Sequence, residues 1–381
     1  MKDDRFIRIQ IETDADFVQA SVAMQLGDVD RVRFSQGSDA RAQAVAGSSG
    51  SALVWDAQGK QPYPENGWSL KGGAGRRVRV VNENHFVNRD KGQGALREIL
   101  GAGASWDFVV DMQDRRLRNV VTPDGTAMPV FTFNREIGAS ARVLWPLPTY
   151  HDLGSPGFLG PDDWVRVPWR KKQDRVVWRG IHGGRADKHG DVRREGLRLR
   201  PLLKRLKAGK MSEQDVLSEL AYFPRHKMIS DYQDDPRFDL GFTGAIQNMD
   251  IAQYPFLARL MRPRLSQQDM LNYKYLLVLR GSDVASSFYW TMNSGSLGLV
   301  MEGYFDSFAS AHFKPWEHYV PFKADLSDLE DRLAWCQAND ETCRDMAERA
   351  QEKCRLLARA DLRDEISRAV ISRISARMKG R

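Results

Sequence analysis

The stretch Tyr275-Leu276-Leu277-Val278-Leu279-Arg280-Gly281-Ser282-Asp283-Val284-Ala285-Ser286-Ser287-Phe288-Tyr289-Trp290 joins an apolar strand, a small polar loop and the start of a helix. A loop at the carboxyl end of a parallel strand is where α/β proteins place ligands. The unpaired N–H groups and the dipole of a helix start favour a phosphate or pyrophosphate there. Gly281 permits close backbone approach, Ser286 and Ser287 offer hydroxyl donors, and Arg280 offers charge. Ser294-Gly295-Ser296 then turns the chain into a further apolar strand, residues 297–301, and is expected to bring a second small-residue loop nearby. Caps and glycine turns are common, so a plain strand–loop–helix without a ligand fits the same pattern.

An earlier strand, residues 175–179, also ends in Arg-Gly, at Arg179-Gly180. Two such strand ends can aim two guanidinium groups at one anion. An aromatic-rich segment, Phe313-Lys314-Pro315-Trp316-Glu317-His318-Tyr319-Val320-Pro321, reads either as part of a site or as a packed corner. Further strands are expected at residues 6–11, 52–55, 77–81, 106–110 and 129–133. The strand at 106–110 is apolar enough to be buried on both faces and ends at Asp111-Met112-Gln113-Asp114. Residues 146–168 are rich in Pro, Gly and aromatics, and mark a crossing between domains before the basic Trp169-Arg170-Lys171-Lys172. Residues 194–208 read as a basic amphipathic helix. Residues 326–378 are almost wholly helix-patterned, with Asp325 or Ser327 as cap and Leu329, Leu333 and Cys336 on one face. Strands alternating with helices give an α/β fold with parallel sheets.

The length, 381 residues, suits two domains, or one with large insertions. The 57 basic against 50 acidic side chains leave a formal charge of +7. That mild excess suits phosphate-bearing ligands, an anionic membrane or nucleic acid without choosing among them. No zinc-finger, RNP or helix-turn-helix signature accompanies the charge, which argues against nucleic acid. Met1-Lys2-Asp3-Asp4-Arg5 leads into no apolar stretch, so a signal peptide is not expected, and no window approaches the roughly 18 apolar residues of a spanning helix. Cys336, Cys343 and Cys354 lack paired zinc-type spacing and are expected to be structural thiols in a reducing cytoplasm. Asp14-Ala15-Asp16 and Asp28-Val29-Asp30 look like metal triplets but follow no convincing buried strand, so no metal is assigned.

Lys314-Pro315-Trp316-Glu317-His318-Tyr319-Val320-Pro321, followed by Asp325-Leu326-Ser327-Asp328-Leu329, closely resembles the signature of glycosyltransferase family 90. That family contains fungal capsule-associated xylosyltransferases, eukaryotic protein O-glucosyltransferases and bacterial lipopolysaccharide-modifying proteins. Other matches fall in the family's order: Pro129-Val130-Phe131-Thr132-Phe133, Trp169-Arg170-Lys171-Lys172, Trp178-Arg179-Gly180, Tyr273-Lys274-Tyr275 and the block from Arg280-Gly281 to Ser294-Gly295-Ser296. Ala338-Asn339-Asp340 and Ala347-Glu348-Arg349 also fit. The resemblance spans roughly residues 106 to 360, is nearest to the bacterial branch, and leaves residues 1–100 unplaced.

The resemblance implies a GT-B-type architecture of two Rossmann-like domains with a C-terminal helix crossing back. The expected units are an acceptor-side domain over residues 1–168, a nucleotide-sugar domain over 169–360 and a basic helix over 361–381. It implies an inverting transfer of glucose or xylose from UDP-glucose or UDP-xylose, with the nucleotide sugar as substrate and neither cofactor nor metal. Carried over by position, Arg179, Gly180, Arg280, Gly281, Ser282, Asp283, Val284, Ala285, Ser286 and Ser287 hold the diphosphate, and Ser294, Gly295 and Ser296 lie near the nucleotide.

Two departures from the family pattern matter. Where the eukaryotic enzymes carry a catalytic Asp, an ungapped match places Arg142; Tyr150-His151-Asp152 occurs beyond Pro146 instead. Asp152 and Asp114 are the candidate bases. Ser287 stands where the eukaryotic enzymes have an Arg, so diphosphate stabilisation leans on Arg179 and Arg280, or the donor differs. The expected acceptor is a lipopolysaccharide or other surface glycan, met in the cytoplasm. The basic faces at residues 193–210 and 368–381 offer a peripheral contact with an anionic bilayer, or are plain solvated surface. The missing carboxylate near Arg142 keeps a second reading open, a degenerate nucleotide-sugar binder of the same fold.

Overall fold

The computed structural model describes residues 13–34, 52–55, 57, 78–81, 89–112, 126–138, 142–147, 164–184, 186, 197–244, 249–281 and 283–379. The expected strand at residues 6–11, the candidate bases Asp114 and Asp152, the loop residue Ser282 and most of the 146–168 crossing lie outside the described residues. The fold is mixed α/β and contains two five-stranded sheets.

The first sheet is built from β2 (Ala52–Trp55), β3 (Val78–Val81), β4 (Phe108–Asp111), β6 (Val130–Thr132) and β8 (Arg142–Leu144), in the order β3-β2-β4-β6-β8. Strands β4, β6 and β8 are parallel to one another, with β8 at the edge, whereas β2 runs antiparallel to both its neighbours. Every residue of β4 is buried, as its apolar sequence requires of a strand covered on both faces. A short pairing of β1 (Arg33–Phe34) with β5 (Thr126–Ala127) lies outside this sheet.

The helix α1 (Asp14–Leu26) buries Phe17, Val22 and Leu26, and its Gln25 Nε2 donates to the Leu144 carbonyl at 2.8 Å. A capping box starts it: Thr13 Oγ1 accepts from the Asp16 amide, and the Asp16 carboxylate accepts from the Thr13 amide. The helix α2 (Arg89–Gly101) adds Ala95, Leu96 and Ile99 to the core.

The second sheet is wholly parallel: β9 (Gln173–Ile181), β10 (Phe238–Gly244), β11 (Tyr273–Val278), β12 (Leu297–Met301) and β14 (Val320–Phe322), in the order β10-β9-β11-β12-β14. Between β9 and β10 come α3 (Leu199–Lys207), α4 (Glu213–Leu220) and α5 (Pro224–Tyr232). The helix α3 buries Leu199, Leu202 and Leu203 and exposes Lys204, Arg205 and Lys207, as its amphipathic pattern predicts. From β11 the chain passes through α6 (Ser286–Asn293) into β12. A third pairing, β7 (Asn134–Glu136) with β13 (Phe305–Ser307), is antiparallel and ties the two halves of the chain together.

The expected single helical run over residues 326–378 is broken into α7 (Leu329–Ala338), α8 (Asp340–Ala358) and α9 (Ala360–Lys379). Asn339 leaves helical geometry at φ −123°, ψ 46°, and Arg359 is extended at φ −73°, ψ 111°. Neither Asp325 nor Ser327 caps the run. Asp325 accepts instead from the Ser327 amide at 2.9 Å, and Asp328, at the cap position of α7, accepts from the Lys323 amide at 2.8 Å. The N–H groups of the preceding turn capture both carboxylates, a common competition for short acidic side chains.

The breaks redirect the chain. Cys336, Cys343 and Met346 pack in the core of the second sheet, whereas Cys354, Leu357, Leu362, Ile366, Val370, Ile371 and Ile374 join the core of the first. Trp106 Nε1 donates to Ser375 Oγ at 2.9 Å, and Arg359 pairs with Asp14 at 2.7 Å. All three cysteines are buried and free. Among the described residues no helix is long and apolar enough to cross a membrane.

Candidate functional site at the carboxyl edge of the parallel sheet

Parallel strands bring their carboxyl ends to one edge, so β9 and β11 deliver Arg179-Gly180 and Arg280-Gly281 to neighbouring places. The two arginines have different environments. Arg179 donates from Nε to the Pro263 carbonyl at 3.0 Å, from Nη1 to the carbonyls of Trp178 and Asp239, and from Nη2 to Asp239 Oδ1 at 2.7 Å. Only 7% of its side chain is exposed, against 22% for Asp239, so the pair is largely shielded from water. Asp239 also accepts from Tyr273 Oη at 2.5 Å. Burial pushes the Asp239 carboxyl up, but the hydrogen bonds from Tyr273 and Arg179 outweigh it and leave the group below the usual carboxylate range. A guanidinium so committed reaches a ligand only by giving up these bonds.

Gly180 has a packing reason. Trp178, two residues earlier and on the same face of the strand, lies along it, and a Cβ on Gly180 would stand 2.4 Å from the indole Cζ2. The ring packs edge-on to Phe242 at 5.7 Å and carries a cation on its face, the Arg225 guanidinium, at 5.9 Å from its centroid.

Arg225 is the residue that sequence reasoning missed. It follows the helix-starting Pro224 on α5. Its Nη1 lies 3.6 Å from where a Cβ on Gly183 would stand, and its Nη2 3.7 Å from the equivalent point on Gly281. Its Nε is buried and meets no acceptor among the described residues. Burial lowers its pKa, although an arginine stays charged at any ordinary pH.

Two histidines stand beside Arg225, and neither neutralises it. His182 stacks on Phe242 at 3.8 Å and sits 5.3 Å from His226, and neither nitrogen of either ring has a partner among the described residues. Burial pushes His182 down to about 4 and His226 down to about 3, so both are uncharged at neutral pH. The cation–π contact returns ~0.5–2 kcal/mol. Desolvating an ion costs several kcal/mol, so the charge on Arg225 is under-compensated.

Arg280 sits half-buried at the end of β11, its guanidinium 4.3 Å from the centroid of Tyr304. The loop then meets the first half of the chain: Asn134 Nδ2, on β7, donates to Asp283 Oδ2 at 2.6 Å. Val284 and Ala285 pack half-buried against the core of the first sheet. Ala285 is the N-cap of α6 and has no side-chain capping bond, so its short side chain leaves the first N–H groups of the helix to another acceptor. Ser286 is exposed and Ser287 half-buried in that first turn.

Ser294, Gly295 and Ser296 lie elsewhere. A helix between two parallel strands returns the chain to the starting edge, and eight residues at about 1.5 Å each carry it roughly 12 Å. Ser296 Oγ donates to the Tyr273 carbonyl at 2.7 Å, at the amino end of β11, and accepts from Lys172 Nζ at 2.8 Å. Burial, reinforced by Arg166, holds the Lys172 amine down at about 8. The expectation that this turn sits beside the Arg280 loop is therefore corrected. A cavity of about 330 Å³ does open at the turn, lined by Arg166, Asn293, Ser294, Gly295, Gln351 and Arg355 among others.

The aromatic segment at residues 313–321 is a packed corner. Phe288, in the first turn of α6, meets Phe313 at 5.5 Å and Tyr319 at 5.9 Å, each edge-on. His318 is buried, and its Nδ1 accepts from the Lys314 amide at 3.0 Å. This corner holds the start of α6 in place. Arg142, at the position implied for a catalytic carboxylate, is buried in β8. Burial lowers its pKa, and the neighbouring Asp111 and Glu136 oppose the shift. Asp14 and Asp16 serve the Arg359 pair and the Thr13 capping box. Among the described residues no group of three or more His, Cys, Asp or Glu is arranged to hold a metal ion.

Comparison with known proteins defines the class. The pattern of glycosyl transferase family 90 matches residues 95–362, well over half of the chain, and the chain belongs to that family. It is 37% identical over 84 residues to protein O-glucosyltransferase 3 of Mus musculus, covering 22% of this chain and 16% of that protein. It is 34% identical over 84 residues to protein O-glucosyltransferase 1 of Homo sapiens, covering 22% and 21%. An uncharacterized protein, 027R, of Frog virus 3 is 37% identical over 105 residues, 26% of this chain and 10% of that protein. The chain thus spans only a small part of these relatives. Among solved structures, spinosyn rhamnosyltransferase SpnG with spinosyn aglycone aligns at 11% identity and TM-score 0.24, over 66% of this chain and 57% of that one, too distant to carry an argument.

Proposed function

We propose that the chain is an inverting glycosyltransferase that moves glucose or xylose from UDP-glucose or UDP-xylose to a hydroxyl of a lipopolysaccharide or other surface glycan. Family membership supports the reaction class. The carrying observation is the carboxyl edge of the second sheet, where β11 runs through Arg280-Gly281 into the uncapped start of α6 and Asn134 reaches across to Asp283. We read the two sheets as the two halves of a GT-B arrangement, the donor diphosphate lying over Gly281 and the acceptor arriving from the side of the first sheet. In the transfer a base takes the acceptor hydroxyl's proton, the oxygen attacks the anomeric carbon, and UDP leaves from the opposite face. Fixed positive charge and helix N–H groups stabilise the departing diphosphate. Asp114 and Asp152 remain the proposed bases.

Arg142, buried where the resemblance implies a carboxylate, favours one second reading, a nucleotide-sugar binder without turnover. UDP release from a panel of UDP-sugars, with crude surface glycan as acceptor, separates the two. The enzyme reading predicts release from one sugar, falling roughly 10- to 100-fold or more in Arg280→Ala. UDP binding without release from any sugar supports the binder, and absence of UDP binding sinks both.

A further inference from the structure

We propose that Arg225 is a diphosphate-binding residue, which completes the donor site from the face of the sheet opposite Arg280. The inference rests on the reading of the carboxyl edge as the donor site. Its own support is the environment of the guanidinium. The side chain is laid on the Trp178 ring, which itself lies flat along Gly180, and its two terminal nitrogens are aimed past Gly183 and Gly281. Both positions are glycine, so no Cβ stands between the guanidinium and the edge where the loop begins. Gly184 continues the opening at φ +103°, a left-handed conformation that favours glycine, with Arg225 Cδ 3.6 Å from its would-be Cβ.

No carboxylate among the described residues pairs with Arg225, its Nε has no acceptor, and the adjacent imidazoles of His182 and His226 are neutral. A half-buried cation in such company is completed by an anion from outside the chain. The two faces of the strand end then divide the labour. Residue 279 turns its apolar side chain into the same core as Trp178, Arg280 turns the other way onto Tyr304, and Arg225 Nη2 comes 3.7 Å from where a Cβ on Gly281 would stand. The first turn of α6 contributes hydroxyls and N–H groups but no cation, Ser286 and Ser287 being neutral. Arg179 is held by Asp239. Among the described residues, Arg225, which reaches Gly281, and Arg280, which precedes it, are thus the cations offered at this strand end, and a diphosphate, which offers oxygens to both sides, is the ligand chemistry that uses them together.

The test measures thermal stability and the affinities for UDP and for uridine, in wild type, Arg225→Met, Arg225→Lys and Arg280→Ala. Arg225→Met keeps length and packing while removing the charge. The expected result is a higher Tm without ligand, UDP affinity lowered roughly 10- to 100-fold, uridine affinity unchanged, and partial recovery in Arg225→Lys. A lower Tm with UDP and uridine weakened alike makes Arg225 a structural residue and overturns the proposal. Wild-type UDP affinity in Arg225→Met, with binding lost in Arg280→Ala, also overturns it but leaves the donor edge standing. If wild type itself binds no UDP, the donor reading fails and the inference with it.

Discussion

Four buried histidines tie the protein's stability to pH. His182 and His318 are pushed down to about 4, and His226 and His312 to about 3, in each case chiefly by burial. In the unfolded chain the same rings bind protons near pH 6.5. Between that value and the folded values the unfolded state binds more protons, so stability rises with pH there and is lost as pH falls below about 6.5. The urea midpoint is therefore expected to drop between pH 7 and 5, before the carboxylates begin to protonate. A midpoint that stays flat over that interval contradicts the neutral state of these buried rings. At this scale the sequence was a partial guide. The strand, loop and helix around Arg280 and Gly281 were legible because an apolar run ends there in small polar residues. Arg179 and Arg225 were not: the partner of the first, Asp239, and the platform of the second, Trp178, come from remote strands. A guanidinium's role is set by whether a carboxylate meets it in space, which local pattern does not report.

Within elements, glycines mark where backbones come close. On β10, a Cβ at Gly241 would stand 2.2 Å from Arg262 Cγ and 2.4 Å from its Cβ. The clash has no easy exit, because the Arg262 amide donates to the Phe242 carbonyl at 2.7 Å and the Phe242 amide to that of Leu260 at 3.0 Å. Gly241→Ala is expected to cost about 1–3 kcal/mol, read as a lower urea midpoint with an unchanged slope, whereas wild-type stability would show that the 260–262 segment yields freely. Strands were legible where burial is two-sided: residues 297–301 were expected as a strand and form Leu297–Met301, and 175–179 lies inside Gln173–Ile181. The strand expected at 106–110 forms at Phe108–Asp111, since Trp106 turns aside to bond Ser375. The long helical run was over-read. Helical periodicity persists on both sides of Asn339 and Arg359, and only their backbone angles show that the axis changes.

Across the whole molecule, the chain builds one sheet, crosses to a second and returns α9 to the first, so the two halves share a core that neither contains alone. The loop after β11 sits where they meet, its Asp283 held by Asn134 and the Tyr304 beside Arg280 adjoining the β13–β7 pairing. The α/β class and the parallel order followed from alternating strands and helices. The side of the sheet on which each loop emerges required the register. Ser294–Ser296 was expected beside the Arg280 loop, yet the right-handed return through α6 carries it to the amino edge, next to a basic cavity of its own. These two edges are the rival places for the nucleotide, and amide hydrogen exchange with and without UDP distinguishes them directly. Protection is predicted in peptides covering residues 181–184 and 279–288, with none at 293–297. Protection confined to residues 293–297 and the facing part of α8 would place the nucleotide at the amino edge and contradict the donor site described above.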